Sequence, residues 1–292
     1  MRRGLLTVMC LRVPAPLTLA GAVLGLGIVA GCAREERSGK PVVAVSVVPQ
    51  EFFVRQIAGD LVDVEVMIPP GASPHTFEPT MSQMKAVARA VLYVKVGHPH
   101  FSFETAWLNG LLKENPSTKV VDGSQGMTQM EGDPHVWVAP SCVRVTARNI
   151  ARALIEIMPA QRGLLEANLQ RFLQGIDELD AEIRQALQPY AGRSFFVFHP
   201  AWGYFAQEYG LVQVAIEHEH KEPTQDHLRE VIEQAKAQQA RVIFVQPQFS
   251  RMSAELVAHE ISGSAVAIDN LAYDWLDNLR RVTAALVEAF EK

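Results

Sequence analysis

Cysteine is scarce. The 292-residue chain has three, and Cys10 and Cys32 both fall within the first 32 positions. Cys142 is left alone in the body, which excludes a disulfide framework and a cysteine-rich zinc site. Basic charge is also in short supply: 27 Lys and Arg stand against 32 acidic residues, for a formal charge of −5. Arg2, Arg3 and Arg12 lie in the first 31 residues, where there is no acid, so the remainder is more acidic still. That argues against nucleic acid and favours a cation as partner. Neither H-E-x-x-H nor G-x-S-x-G occurs, so the local signatures of zinc proteases and serine hydrolases are missing. The apolar stretch from Ala15 to Ala30 is shorter than the roughly 20 residues a membrane helix needs.

What stands at the beginning is an export signal. Arg2 and Arg3 precede the apolar run, which ends in Val29-Ala30-Gly31-Cys32. Small residues before a cysteine resemble a lipoprotein signal box, which implies removal of residues 1–31 and lipidation of Cys32. The protein is then expected to be exported and held to the membrane by its lipid, facing the periplasm or the cell exterior.

After a tether over 32–40, short runs rich in Val, Ile and Tyr alternate with helical patterns. Strands are predicted at 42–48, 62–68, 91–96 and 119–121, with helices at 51–58, 82–90 and 103–114, the βαβα order of a parallel sheet. From Pro140 to Gln188 the pattern is helical, broken near Met158-Pro159. In its second piece Leu165, Leu169, Phe172, Leu173, Ile176, Leu179, Ile183 and Leu187 recur at three- and four-residue steps. At 1.5 Å per residue this helix is roughly 40 Å long, enough to bridge two halves. Strands resume at 195–198, 212–216, 242–245 and 265–268, separated by helical patterns at 224–239, 253–261 and 273–290. The expected architecture is α/β in two lobes, 41–159 and 189–292, each a roughly four-stranded parallel sheet flanked by helices and joined by the helix 160–188.

Nine histidines are present, and three share one kind of position, the loop after a predicted strand. These are His75 in P-G-A-S-P-H-T-F-E-P, His135 in D-P-H-V-W and His199 in F-H-P-A-W-G-Y-F. Asp269, in V-A-I-D-N-L, follows the last strand. Ligands of open parallel sheets bind beyond the carboxyl ends of the strands, so two groups from each half are able to converge in a cleft. Three imidazoles and one carboxylate suit zinc, whereas manganese prefers more oxygen ligands. Each residue taken singly has a plainer reading: His75 as a turn former, His135 as a helix cap, Asp269 as an acceptor of backbone N–H groups.

These motifs, with K-E-P-T and Q-P-Q-F-S, resemble the ZnuA/TroA-type metal-binding lipoproteins over nearly the whole chain beyond Cys32. The resemblance implies a solute-binding protein of an ABC importer, not an enzyme, and an expected monomer. Its cargo is Zn2+, with Mn2+ or Fe2+ as alternatives, held by His75, His135, His199 and Asp269 and passed to a permease. It also implies a bridging helix that limits lobe motion. Two features depart from the zinc branch: the 123–132 segment is short and has no histidine, and His220 stands where a small residue is expected.

Other residues have weaker patterns. Glu78 is a candidate supporting group for His75. His218 and His220, with Glu217, Glu219 and Glu222, form a candidate accessory site or simply a polar loop. Trp137 and Trp202 either shield the site or belong to the core. His98 and His100 are expected to point to opposite sides, His227 and His259 to lie on helix surfaces, and Cys142 to be buried packing. A zinc-dependent hydrolase, with His218-Glu219-His220 as its H-x-H element, and an adhesin on the same scaffold are the competing functions.

Overall fold

The computed structural model describes residues 39–113, 115–217 and 223–292. The expected signal, Cys32, most of the tether, His218 and His220 lie outside the described residues. Among the described residues no helix is long and apolar enough to cross a membrane.

The first half opens with β1 (Val42–Val45) and α1 (Val48–Ala58), then β2 (Asp63–Val66), α2 (Met81–Val87) and β3 (Leu92–Lys95). A π-wound turn at Glu104–Leu108 runs into α3 (Asn109–Lys113), and β4 (Lys119–Asp122) follows. These strands form one parallel sheet in the order β2-β1-β3-β4, with Val45 opposite both Val66 and Val94. β1 stops earlier than its apolar run because the Gln50 side chain accepts from Ser46 N at 3.0 Å and Val47 N at 3.2 Å. Those bonds turn the chain into α1 and end the ladder.

Two helices then run in succession, α4 (Pro140–Ile157) and α5 (Arg162–Leu187), with a 3-10 turn at Pro159–Gln161 between them. Pro140 suits a first helical turn, whereas Pro159 has no N–H with which to continue α4. α5 is 26 residues long. Leu165, Phe172, Leu173, Ile176, Leu179, Ile183 and Leu187 are buried along it, and Leu169 is half-buried, so the periodic stripe is the face that packs.

The second half repeats the plan with β5 (Ser194–Val197), α6 (Gly203–Tyr209), β6 (Val212–Ala215), α7 (Gln225–Ala237), β7 (Val242–Val245), α8 (Met252–Glu260), β8 (Ser264–Ala267) and α9 (Trp275–Glu291). Its parallel sheet has the order β6-β5-β7-β8. The pleat sorts its side chains by face. Phe195, Val197, Val242 and Phe244 join a core that runs without interruption through α5 into the first sheet. Phe196, Phe198, Ile243 and Val245 face the other way, onto Val231 of α7 and Val257 of α8. The two lobes thus share one apolar core along the long helix.

α6 is absent from the sequence expectation. Seven residues, four of them aromatic or glycine, carry no readable helical period. It ends at Gly210, whose φ of 69° is left-handed, where the absent side chain removes the penalty.

Candidate metal centre

Each histidine is set by its own local device. On the loop after β2, Ser73 forms a turn: its carbonyl accepts from Thr76 N and Phe77 N, and its hydroxyl accepts from His75 N at 3.3 Å. After β4 and a loop, Asp133 Oδ1 accepts from His135 N at 2.9 Å and lies 2.7 Å from His135 Nδ1. Just past β5, Gln246 brackets His199. Its Oε1 accepts from His199 N at 3.3 Å and its Nε2 donates to His199 O at 2.7 Å. Glu217 Oε2 lies 2.8 Å from His199 Nδ1, and the Phe249 ring stacks on the His199 ring at 4.6 Å.

The three rings converge. His199 Nε2 is 3.2 Å from His75 Nε2 and 3.2 Å from His135 Nε2. One ligand atom from each histidine lies within 4.8 Å of the others, and among the described residues this trio is the metal-compatible group. His135 and His199 are almost completely buried, while His75 is half-buried.

The carboxylates decide what the converging nitrogens offer. An ionised carboxylate can only accept, so Nδ1 of His135 and of His199 carries a proton, and Nε2 is the ring atom turned to the cluster, with a lone pair whenever the ring is neutral. For Asp133, burial on its own would raise the acid. The hydrogen bond from the His135 ring, that ring's charge and the His135 N–H outweigh it and hold Asp133 below its usual range. When both rings are neutral, these tautomers bring two Nε2 lone pairs to 3.2 Å, a crowding that a shared cation would relieve. Two nitrogens bound to one tetrahedral zinc at roughly 2.0 to 2.1 Å stand about 3.3 to 3.4 Å apart, close to the spacing observed.

Asp269 occupies the loop after β8, outside that 4.8 Å group. Its Oδ1 accepts from Leu271 N at 2.9 Å and Gln248 Nε2 at 3.0 Å, and its carbonyl accepts from Asn278 Nδ2 at 2.5 Å. Glu78 is exposed, and no hydrogen bond among the described residues joins it to His75. Trp137 packs its ring 5.2 Å from that of His135, whereas Trp202 is buried against Phe205. Cys142 is buried at the start of α4, and burial pushes its thiol up to about 11, far from thiolate formation. His98 and His100 do not diverge as alternation in an extended segment would require. Their rings are 5.7 Å apart, because His98 Nδ1 accepts from His100 N and folds the segment into a turn. His98 Nε2 is engaged with Met130 O at 3.0 Å. His227 is partly covered on α7, and His259 is exposed on α8.

The supporting residues were the part that sequence reading missed. Asp133 stood in view in D-P-H, two positions before a histidine. Glu217 borders the polar loop, and its pairing with His199 Nδ1 is a contact across 18 positions that no local pattern marks. Gln246, Gln248 and Phe249 account for the Q-P-Q-F-S motif.

The model of the ZnuA family, described as zinc-uptake complex component A, periplasmic, matches residues 43–289. The chain is 26% identical over 274 residues to the high-affinity zinc uptake system protein ZnuA of Bacillus subtilis strain 168, covering 84% of this chain and 85% of that one. A crystal structure of ZnuA aligns with a TM-score of 0.82 and 40% identity, over 86% of this chain and 99% of that one. The laminin-binding protein Lmb of Streptococcus agalactiae, a bifunctional protein with adhesin and metal-transporting activity, aligns with a TM-score of 0.78 and 25% identity, over 85% of this chain and 99% of its own. The chain therefore belongs to the ZnuA family, the periplasmic component A of zinc-uptake complexes, a family of binding proteins and not of enzymes.

Proposed function

We propose that this chain captures a divalent transition metal ion, Zn2+ by preference, between its two lobes and delivers it to the permease of an ABC importer. His75, His135 and His199 supply Nε2 ligands and Asp269 the fourth. The convergence of three imidazole nitrogens, with His199 Nε2 3.2 Å from both His75 Nε2 and His135 Nε2, carries the reading. Three nitrogens and one oxygen favour zinc over manganese or iron, although zinc also exceeds both in intrinsic affinity at such sites. The hydrogen bonds to Asp269 fall on Oδ1, so Oδ2 is available to a metal after a small loop movement. Asp133 and Glu217 are both committed to imidazole nitrogens, which supports a carrier over a hydrolase needing a general base.

The anchoring belongs to the same proposal. Residues 1–31 act as the export signal, Cys32 takes the lipid, and 32–40 tether the lobes 41–159 and 189–292, with 160–188 between them.

Chelator-stripped protein, titrated with zinc and manganese in competition, tests the site. One tight zinc that is sharply weakened by His75→Ala, His135→Ala, His199→Ala and Asp269→Ala is the expected result. Binding that survives all four substitutions and vanishes when His218 and His220 are changed would move the site to the 218–222 segment.

A further inference from the structure

The N-lobe carboxylate that fixes His135 rests against the C-lobe at a glycine. A Cβ built on Gly203, the first residue of α6, would overlap Asp133 Oδ2 and come within 3.5 Å of Asp133 Cγ and Met130 Cε. Asp133 has little freedom to yield, because its Oδ1 already accepts from His135 N and from His135 Nδ1 and its side chain is largely buried. The Gly203 backbone is pinned as well. Trp202 N donates to Gln213 Oε1 at 2.7 Å, and the next residue, Tyr204, accepts from Met130 N through its hydroxyl at 2.7 Å. Gly203 is absent from the positive-φ glycines, so alanine would suit its backbone and its helix better than glycine does. What the position requires is space.

We propose that Gly203 is a positioning residue for the metal site: it leaves room for Asp133, and through Asp133 it sets the tautomer of His135. The inference rests on the three-histidine reading above. Alanine at 203 displaces Oδ2 and rotates the carboxylate off Nδ1. His135 is then free to carry its proton on Nε2, where it blocks coordination. Loss of an outer partner of this kind weakens metal binding by about 10- to 100-fold.

The test uses the full chain with Gly203→Ala, Asp133→Ala and the double variant. Three readouts are taken: zinc Kd by chelator competition, the 15N shifts of the His135 ring in metal-free protein, and metal-free melting. Gly203→Ala is expected to raise the Kd about 10- to 100-fold and to shift His135 away from the Nδ1–H form. In the Asp133→Ala background the same change should have almost no effect, because the obstructing oxygen is gone. Wild-type affinity and tautomer in Gly203→Ala would overturn the proposal, as would an equal loss in both backgrounds. If Gly203→Ala alone fails to fold, the double variant should restore folding, and its failure to do so would also count against the idea. Zinc affinity unchanged by His135→Ala would instead defeat the metal reading, while the ring shifts of the metal-free variants would still report on Gly203.

Discussion

Trp275 donates its indole N–H to the carbonyl of Trp137 at 2.6 Å, across 138 positions of sequence. Trp137 in turn donates its own indole N–H to Asn270 O at 2.7 Å. Both rings are buried. Trp137 is two residues beyond His135 and Asn270 is next to Asp269, so this pair of bonds ties the loop that carries His135 to the loop that carries Asp269. Phe53 of α1 packs edge-on against Trp275 at 5.5 Å, extending the tie into the first lobe. Metal release through wide parting of the lobes would have to break these contacts, which favours small loop movements.

Trp137→Phe keeps most of the packing but leaves Asn270 O buried without its donor. The expected cost is about 1 to 3 kcal/mol, measured by denaturant unfolding of metal-free protein. A weaker zinc affinity should accompany it, because the Asp269 loop loses an anchor. An unchanged midpoint would show that the carbonyl finds another donor.

Zinc should stabilise the native state strongly. At 1,000 times Kd the gain is about 4.1 kcal/mol, a melting shift of roughly 8 to 16 °C for a chain of this size. Scanning calorimetry with and without zinc measures it, and His199→Ala should abolish most of the shift.

Acid should weaken zinc binding between pH 8 and 5.5, because each imidazole must be neutral to coordinate. Asp133 does not contribute in that window. Its folded-state pKa is depressed, so its stabilising effect is complete above its unfolded value of roughly 3.9 and is lost only as pH falls through the lower folded value. A zinc affinity that stayed level down to pH 5.5 would contradict a three-histidine site.

Glu104→Ala should destabilise the first lobe. Ser46 Oγ and Val96 N each donate to Glu104 Oε1 at 2.5 Å, and Gly97 N donates to Oε2 at 3.0 Å. Removing the acceptor leaves the buried Val96 N and the part-buried Gly97 N without their partner, while Ser46 Oγ keeps Tyr93 Oη at 2.9 Å; a buried donor left unsatisfied costs about 1 to 3 kcal/mol. Thermal melting reads the loss. In the wild type, burial raises the Glu104 acid despite these bonds. The folded state therefore holds its proton more tightly than the unfolded chain, and this residue's contribution to stability falls as pH rises from the unfolded value through the folded one.

Local pattern determined much of this protein. The strands at 42–45 and 242–245 follow from short continuous runs rich in Val and Ile, and the stripe from Leu165 to Leu187 follows from three- and four-residue periodicity, which burial then rewards. His75, His135 and His199 stood out for a related reason: each lies in the stretch that follows an apolar strand, and such stretches leave from the carboxyl edge of a parallel sheet. The π-wound turn at Glu104–Leu108 and α6 were not legible. The first depends on hydrogen bonds from Ser46, Val96 and Gly97, and the second is too short to show a period. Tertiary structure alone decided that His199 meets His135 at 3.2 Å across 64 positions, that Gln246 brackets His199, that Trp137 and Trp275 join the lobes, and that Gly203 makes room for Asp133. These contacts depend on how two sheets settle against one shared helix, and no nearby stretch of sequence records that distance.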